Sequence, residues 1–455
     1  MWRQRKNCII SLNPIQVEYM ISYEMEDSTE QNLTHGGVMD RRIAVVGGGA
    51  AGMMAAIQAA RMGANVAIYE RNDRVGKKIL STGNGKCNFS NELMEADYYY
   101  GSGRALVDTV YKRFGKTETR DFFEALGMRV KNRNGYLYPA SEQAATVLDV
   151  LRYELERLQV RVHTEQKVSG IVRQQDALLV ETTGHKKEKY NAVILACGGK
   201  AAPKTGSDGA GFILAESLGH RIVPTVPALT ALRCKEDYYK RVSGVRCDAI
   251  ITLQIDGHPV RSERGELQWT DYGISGIPVF QLSRDAAYAL HDRRNVTVKI
   301  NLMPDYEKDL ENGGSTKSAA YEEFWADRWA KQGHQTMGQF VTGVVNKKIG
   351  LLFLKLSGIK ETEMAEQIPW QCRKKLETLF RSFTVTVKET NSFDQAQVCA
   401  GGIDCLEVSE VLESRIVPGL FFAGEILDID GICGGYNLQW AWSSGSVAGQ
   451  AAVER

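Results

Sequence analysis

A surplus of either charge is missing from this chain: 56 lysines and arginines face 55 aspartates and glutamates, leaving +1 over 455 residues. A field strong enough to gather nucleic acid or an anionic membrane is therefore not expected, and no basic stripe supplies one locally. The nine cysteines form no C-x-x-C pair, and the seven histidines lack metal-ligand spacing. No metal site is assigned, and free thiols in a reducing, cytoplasmic setting are expected. The longest uncharged apolar stretch, residues 43–60, carries four glycines and does not read as a membrane span. No secretory signal precedes it, and internal repeats and low-complexity tracts are lacking too.

What is present is an ordinary globular composition, 43% hydrophobic and 24% charged. At roughly 100–200 residues per domain, this length suggests two or three domains. Residues 1–40 are mixed and polar without periodicity. They read as an N-terminal extension, disordered or upstream of a natural start at Met39. From 41 to 205 the order of short apolar runs and helical patterns is that of an α/β unit. Residues 206–388 read as a β-rich insertion with a helical part near 306–375, and 389–455 return to the first unit.

The first unit opens with a buried-strand run, Ile43-Ala44-Val45-Val46, a glycine turn, a helix over 53–62 and a second strand over 66–69. The turn, Gly47-Gly48-Gly49-Ala50-Ala51-Gly52, matches G-x-G-x-x-G. That pattern is weak alone. Here it follows a strand and opens a helix, and Glu70 ends the next strand 18 residues past Gly52. Gly47 permits the tight turn, Gly49 lets backbone approach a diphosphate, and Gly52 allows close helix–strand packing. The helix N-terminus offers amides and a positive dipole end. Glu70 accepts from ribose hydroxyls and repels a 2′-phosphate, so FAD or NAD fits and NADP does not. Arg71, beside it, is counted with the same set.

Further on, 144–158 has helical spacing, 160–172 and 177–183 alternate as strands, and 192–196 reads as a buried strand. Asp256-Gly257 after 250–255 predicts a type I′ hairpin. Strands are expected at 296–300 and 383–387, and a helix over 337–345. Near the end, Pro418-Gly419-Leu420-Phe421-Phe422-Ala423-Gly424-Glu425 is a short apolar strand closing in glycine and a carboxylate. Flavoproteins of the two-dinucleotide type carry such a strand, with the acid on the ribitol chain. Gly434-Gly435-Tyr436-Asn437-Leu438 then starts the last helix. Its N-terminus, aimed at the flavin pyrimidine, would stabilise charge gained on reduction. FAD is the expected cofactor.

Three blocks go beyond a generic flavin fold: Lys77-Lys78-Ile79-Leu80-Ser81-Thr82-Gly83-Asn84-Gly85-Lys86-Cys87-Asn88, Gly265-Glu266-Leu267 through Gly273-Ile274-Ser275-Gly276, and 424–440. Together they resemble the bacterial YhiN-like, BaiN-like flavoproteins, also labelled aminoacetone-oxidase-like, over about residues 41–455. The resemblance implies a Rossmann-type two-dinucleotide FAD-binding fold of α/β class, with an inserted β-barrel-like domain, a small helical one and noncovalent FAD. By position, Ala51, Glu70, Lys78, Asn88, Val168, Glu425 and Leu438 would touch the cofactor, Val168 through its backbone near adenine. Gly47, Gly49, Ala50, Gly52, Gly424, Gly435 and Asn437 complete the set. The chain departs from the usual pattern at Asp271 (commonly histidine), at Ile277 (inserted before proline) and at Cys433 (commonly threonine). These departures put a family-wide catalytic residue in doubt.

Two chemistries come with the resemblance. One is reduction of conjugated C=C bonds in oxo-bile acids or similar small, apolar, ketone-bearing substrates, driven by NAD(P)H as transient reductant. The other is oxidation of small amines such as aminoacetone. A flavin-binding, RNA-associated protein is an alternative from another class, disfavoured by the charge balance. For ene reduction, Tyr436 and Tyr272 are the candidate proton or hydrogen-bond donors, each with a packing alternative. Asp428 and Asp430 are expected to satisfy backbone amides rather than hold a metal. Cys87 and Cys433 are expected to be inert.

Overall fold

The computed structural model describes residues 41–306 and 319–455. The expected extension at 1–40, the start at Met39 and part of the expected helical stretch near 306–375 lie outside them. The α/β expectation holds. The strands Arg42–Val46, Asn65–Tyr69, Arg161–His163, Ala192–Leu195 and Leu420–Phe422 form one sheet, entirely parallel. Two of them, Ala192–Leu195 and Leu420–Phe422, are apolar runs buried along their whole length, because helices cover both faces of a parallel sheet. In a parallel sheet the residue after every strand emerges on one edge. Gly47, Glu70, Gly198 and Gly424 all follow these strands, so the topology gathers them.

The helix Ala50–Arg61 is buried from Ala51 through Gln58 and Ala59. It is covered by the last helix, Tyr436–Glu454, which buries nearly every residue. Two glycines permit the approach. A Cβ on Gly445 would stand 2.4 Å from the Ala51 carbonyl oxygen, and one on Gly449 2.4 Å from that of Ala55. The beginning and end of the described chain are thus locked helix to helix, with backbone against backbone.

A six-stranded closed barrel holds a second core, in the order Leu232–Cys234, Gly273–Ser275, His258–Trp269, Arg246–Ile255, Val296–Asn301 and Phe383–Thr390. Its hairpin turns at Asp256 (φ 52°) and Gly257 (φ 82°), both left-handed as a type I′ turn demands. Helices Ala319–Lys331, Met337–Val341, Lys347–Ser357 and Trp370–Ser382 join this core. Helix Ala210–Ser217 instead buries Phe212 and Leu214 in the first core. Among the described residues no helix is long and apolar enough to cross a membrane.

Two sequence expectations are corrected. The helix expected over 337–345 ends at Val341; Gly343 turns left-handed (φ +84°), and Asn346 caps a new helix by accepting from Lys348 N. The strand expected over 160–172 is two strands in different sheets. Glu165 (φ 57°) separates Arg161–His163, in the parallel sheet, from Val168–Gln174, which pairs antiparallel with Ala177–Thr182.

Candidate functional site

The glycine turn has the geometry that its three tasks require. Gly47 sits at φ +105°, and a Cβ there would meet the Ala196 carbonyl oxygen at 2.5 Å. A Cβ on Gly52 would stand 1.9 Å from the Gly47 carbonyl oxygen, so only glycine lets the helix begin this close to the strand. A Cβ on Gly49 would meet nothing within 4 Å. Gly49 caps a helix that has no side-chain cap and no acidic residue in its first turn, leaving its positive end for a ligand. Ala50 and Ala51 form that first turn.

Glu70 is 7% exposed. Its Oε2 accepts from Gly48 N at 2.9 Å, and its Oε1 from Asn72 N and Nδ2, both at 2.8 Å. The carboxylate is therefore held in one orientation by the chain's own donors. Gln166 N donates to the Glu70 carbonyl at 2.9 Å, which brings the start of the Val168 strand to this end of the sheet. Arg71 instead pairs with Asp208. Burial alone would raise the Asp208 carboxyl, but the Arg71 hydrogen bond brings it below its ordinary value.

The C-terminal strand delivers Gly424 and Glu425 to the same edge. Glu425 is a hub: Oε2 accepts from Lys78 Nζ at 2.7 Å and Gly199 N at 3.2 Å, and Oε1 accepts from Cys399 N at 3.0 Å. Gly424 needs its positive φ of +80°, and a Cβ there would lie 2.8 Å from Ala51 Cβ. Gly435 caps the last helix at φ +94° without a side-chain cap. A Cβ on Gly435 would stand 3.0 Å from Asn88 Oδ1, a buried oxygen with no hydrogen-bond partner among the described residues. Asn437 turns its amide to the loop: Oδ1 accepts from Gly431 N and Nδ2 donates to the Gly431 carbonyl, both at 2.8 Å. Leu438 is half-buried against the first core.

The two candidate donors belong to different elements. Tyr436 opens the last helix in a tyrosine cluster; its ring centroid is 5.1 Å from that of Tyr98 and 5.9 Å from that of Tyr99. Burial pushes its hydroxyl up to about 12. Tyr272 is on the barrel, with Arg233 over its ring at 4.6 Å and its hydroxyl accepting from Asn391 Nδ2 at 3.0 Å.

The expectation for Asp428 and Asp430 divides. Asp428 Oδ2 accepts from Ser102 N at 2.7 Å, a backbone amide as expected. Asp430 instead takes Arg284 Nε on both oxygens, at 3.0 and 2.9 Å. Burial raises the Asp430 carboxyl to about 6, against the pull of Arg284. Arg284 comes from the helix Ile277–His291, and nothing in the sequence singles it out: it stands beside Asp285 on a helix that buries its other face through Pro278, Val279, Leu282 and Ala286. The amides of Gly199 and Cys399, which hold Glu425, were also not legible there.

The residues present fit FAD. They combine an open Gly49 at an uncapped helix N-terminus, a prearranged carboxylate (Glu70) at the end of the second strand, a second carboxylate after the late strand, and an orphaned Asn88 oxygen beside the last helix. A Rossmann-type FAD-binding fold carrying an inserted barrel and helical regions is the class that these features define. The chain belongs to the HI0933-like protein Rossmann domain family, whose model matches residues 41–451. It is 41% identical over 417 residues to a 3-dehydro-bile acid delta(4,6)-reductase of Clostridium scindens, covering 91% of this chain and 99% of the relative. It is also 26% identical to ribosomal RNA dihydrouridine synthases of Haemophilus influenzae (88% of this chain, 95% of the relative) and Escherichia coli (90% and 97%). The family resemblance read from the three motif blocks is the one found.

Proposed function

We propose that this protein is an FAD-dependent reductase that saturates a C=C bond conjugated to the oxo group of a bile-acid-like or steroid-like substrate, with NAD(P)H as electron source. The observation that carries this reading is the 41% identity to a reductase of that description across nearly its whole length. Residues 41–205 and 389–455 are read as the FAD-binding unit, and 206–388 as the unit facing substrate. When bound, FAD supplies a carrier that accepts hydride from a nicotinamide and donates hydride to carbon.

The chain's own tasks follow from its groups. Gly49, Ala50 and Ala51 offer amides to the diphosphate, and Glu70 takes the ribose hydroxyls. Lys78 and Glu425 hold the middle of the cofactor, and the uncapped amides after Gly435 face charge gained on reduction. Tyr436 is the proposed proton donor and Tyr272 the alternative. No membrane or nucleic-acid partner is invoked, and the reducing cytoplasm is the proposed compartment.

One observation favours a second reading, reduction of uridine in RNA: two relatives at 26% identity carry that name. Chemically the two are close, since dihydrouridine is uridine with its carbonyl-conjugated C=C saturated. Anaerobic incubation with NADH or NADPH and a conjugated 3-oxo steroid should yield a product heavier by a pair of hydrogens, seen by mass spectrometry. Peroxide release on aminoacetone without enone turnover would replace the reading with amine oxidation. Dihydrouridine formed in ribosomal RNA without enone turnover would replace it with the RNA reading.

A further inference from the structure

We infer that the Arg284 guanidinium, anchored by Asp430, is the hydrogen-bond donor to the substrate's oxo oxygen. This rests on reading the substrate as a conjugated ketone. Asp430 is 2% exposed and lies on a two-residue strand, Asp430–Gly431, paired with Tyr99–Tyr100. That strand is part of the loop running from Glu425 to the last helix, and Asn437 ties it to the helix through both polar atoms of Gly431. Arg284 is therefore the inserted unit's charged group set directly on the loop between the two carboxyl-terminal cofactor contacts. Gln281, on the same helix, secures the loop again by accepting from Cys433 N at 3.0 Å.

Asp430 engages Arg284 only through Nε. The rings of Tyr100 and Tyr288 each lie 4.9 Å from its Cζ, and its side chain is only 17% exposed. The N–H groups of Nη1 and Nη2 have no hydrogen-bond partner among the described residues; Asp285 stands 4.0 Å from Nη1. Neither nitrogen is sealed from solvent, so both keep N–H donors that a ligand's acceptor can take over from water.

The charge balance selects the acceptor. Asp430 already neutralises Arg284, and Asp285 and Asp428 add further negative charge around the pair. A carboxylate ligand would be repelled, whereas a neutral ketone oxygen would not. Val226, Ala228, Ala287 and Ala400 form a separate buried cluster with Phe280 and Tyr288 of the same helix and Cys433 of the loop, so apolar packing fixes the helix that carries Arg284 against the loop.

Bound, reduced FAD would supply a hydride to the β-carbon, and the C=C pair would shift to the α-carbon–carbonyl bond. The carbonyl pair then moves onto oxygen, where Arg284 meets more charge than in the ground state. A proton from an acid would then add at the α-carbon and restore the C=O bond, so that the two electrons given up by the cofactor end in the saturated C–C bond.

The test compares dissociation constants, by calorimetry on the FAD-loaded protein, for a saturated 3-oxo steroid and its 3-deoxy counterpart. Arg284→Gln should weaken the ketone by about 10- to 100-fold and leave the deoxy compound within about twofold. Its FAD content should match the parent's. Equal weakening of both ligands, or none for the ketone, overturns the inference. Should Arg284→Gln not fold, Arg284→Lys decides on the same criterion. If the parent binds neither compound, the substrate reading itself fails and this inference falls with it.

Discussion

Lys78 Nζ stands 2.7 Å from Glu425 Oε2 across 347 residues of sequence. The contact joins the segment after the first βαβ unit to the last strand of the parallel sheet. Glu425 also holds the Gly199 and Cys399 amides, so it fixes three chain segments around one carboxylate. Glu425→Ala should lower FAD affinity by about tenfold or more, read by flavin released on ultrafiltration. An unchanged affinity would remove Glu425 from the cofactor set.

The glycine turn predicts a contrast between two neighbours. Gly52→Ala forces a methyl into the Gly47 carbonyl and should cost about 3 kcal/mol of stability. Gly49 has ordinary extended dihedrals (φ −81°, ψ −167°) and open space at its Cβ. Gly49→Ala should therefore leave the melting temperature of the FAD-free protein unchanged while weakening FAD by about tenfold or more. Denaturant melts paired with flavin titrations separate the two effects.

Glu154, 5% exposed, ties two helices together: it accepts from Arg61 Nε at 2.8 Å and Arg157 Nε at 2.7 Å. The Arg157 hydrogen bond, helped by Arg61 and opposed by burial, lowers its carboxyl below the ordinary glutamate value of 4.5. A lowered folded value means the unfolded chain binds the proton more tightly. The stabilisation is then complete above pH 4.5 and is lost as pH falls through the lower folded value. Glu154→Gln should cost about 1–2 kcal/mol at neutral pH, and the gap to the parent should shrink as the medium is acidified below the unfolded value.

Burial pushes the thiols of Cys87, Cys197, Cys399, Cys405 and Cys433 up to about 12. Thiolate is the reactive form, so these five should resist an aromatic disulfide reagent at pH 8 in the native protein and react after denaturation. Fast native labelling of Cys433 would reopen thiol chemistry beside the last helix.

The parts legible in sequence are those that local chain geometry encodes. Gly47, Gly49 and Gly52 occur at fixed offsets because a tight turn, a close approach and a helix start lie within six residues. Asp256-Gly257 is readable for the same reason, since its two left-handed positions are adjacent. Contacts between distant segments leave no such trace. Nothing near Asp430 in the chain announces Arg284, 146 residues away, and nothing near Glu425 announces the Cys399 amide. The period over 337–345 misled because Gly343 and the Asn346 cap break a helix whose apolar spacing continues past the break.

The central claim is that both ends of the described chain build one FAD site, and the chromophore of the purified protein tests it most directly. The account predicts yellow protein carrying equimolar, intact FAD that acid denaturation releases without a covalent adduct. Protein that is colourless and takes up no added FAD would contradict it.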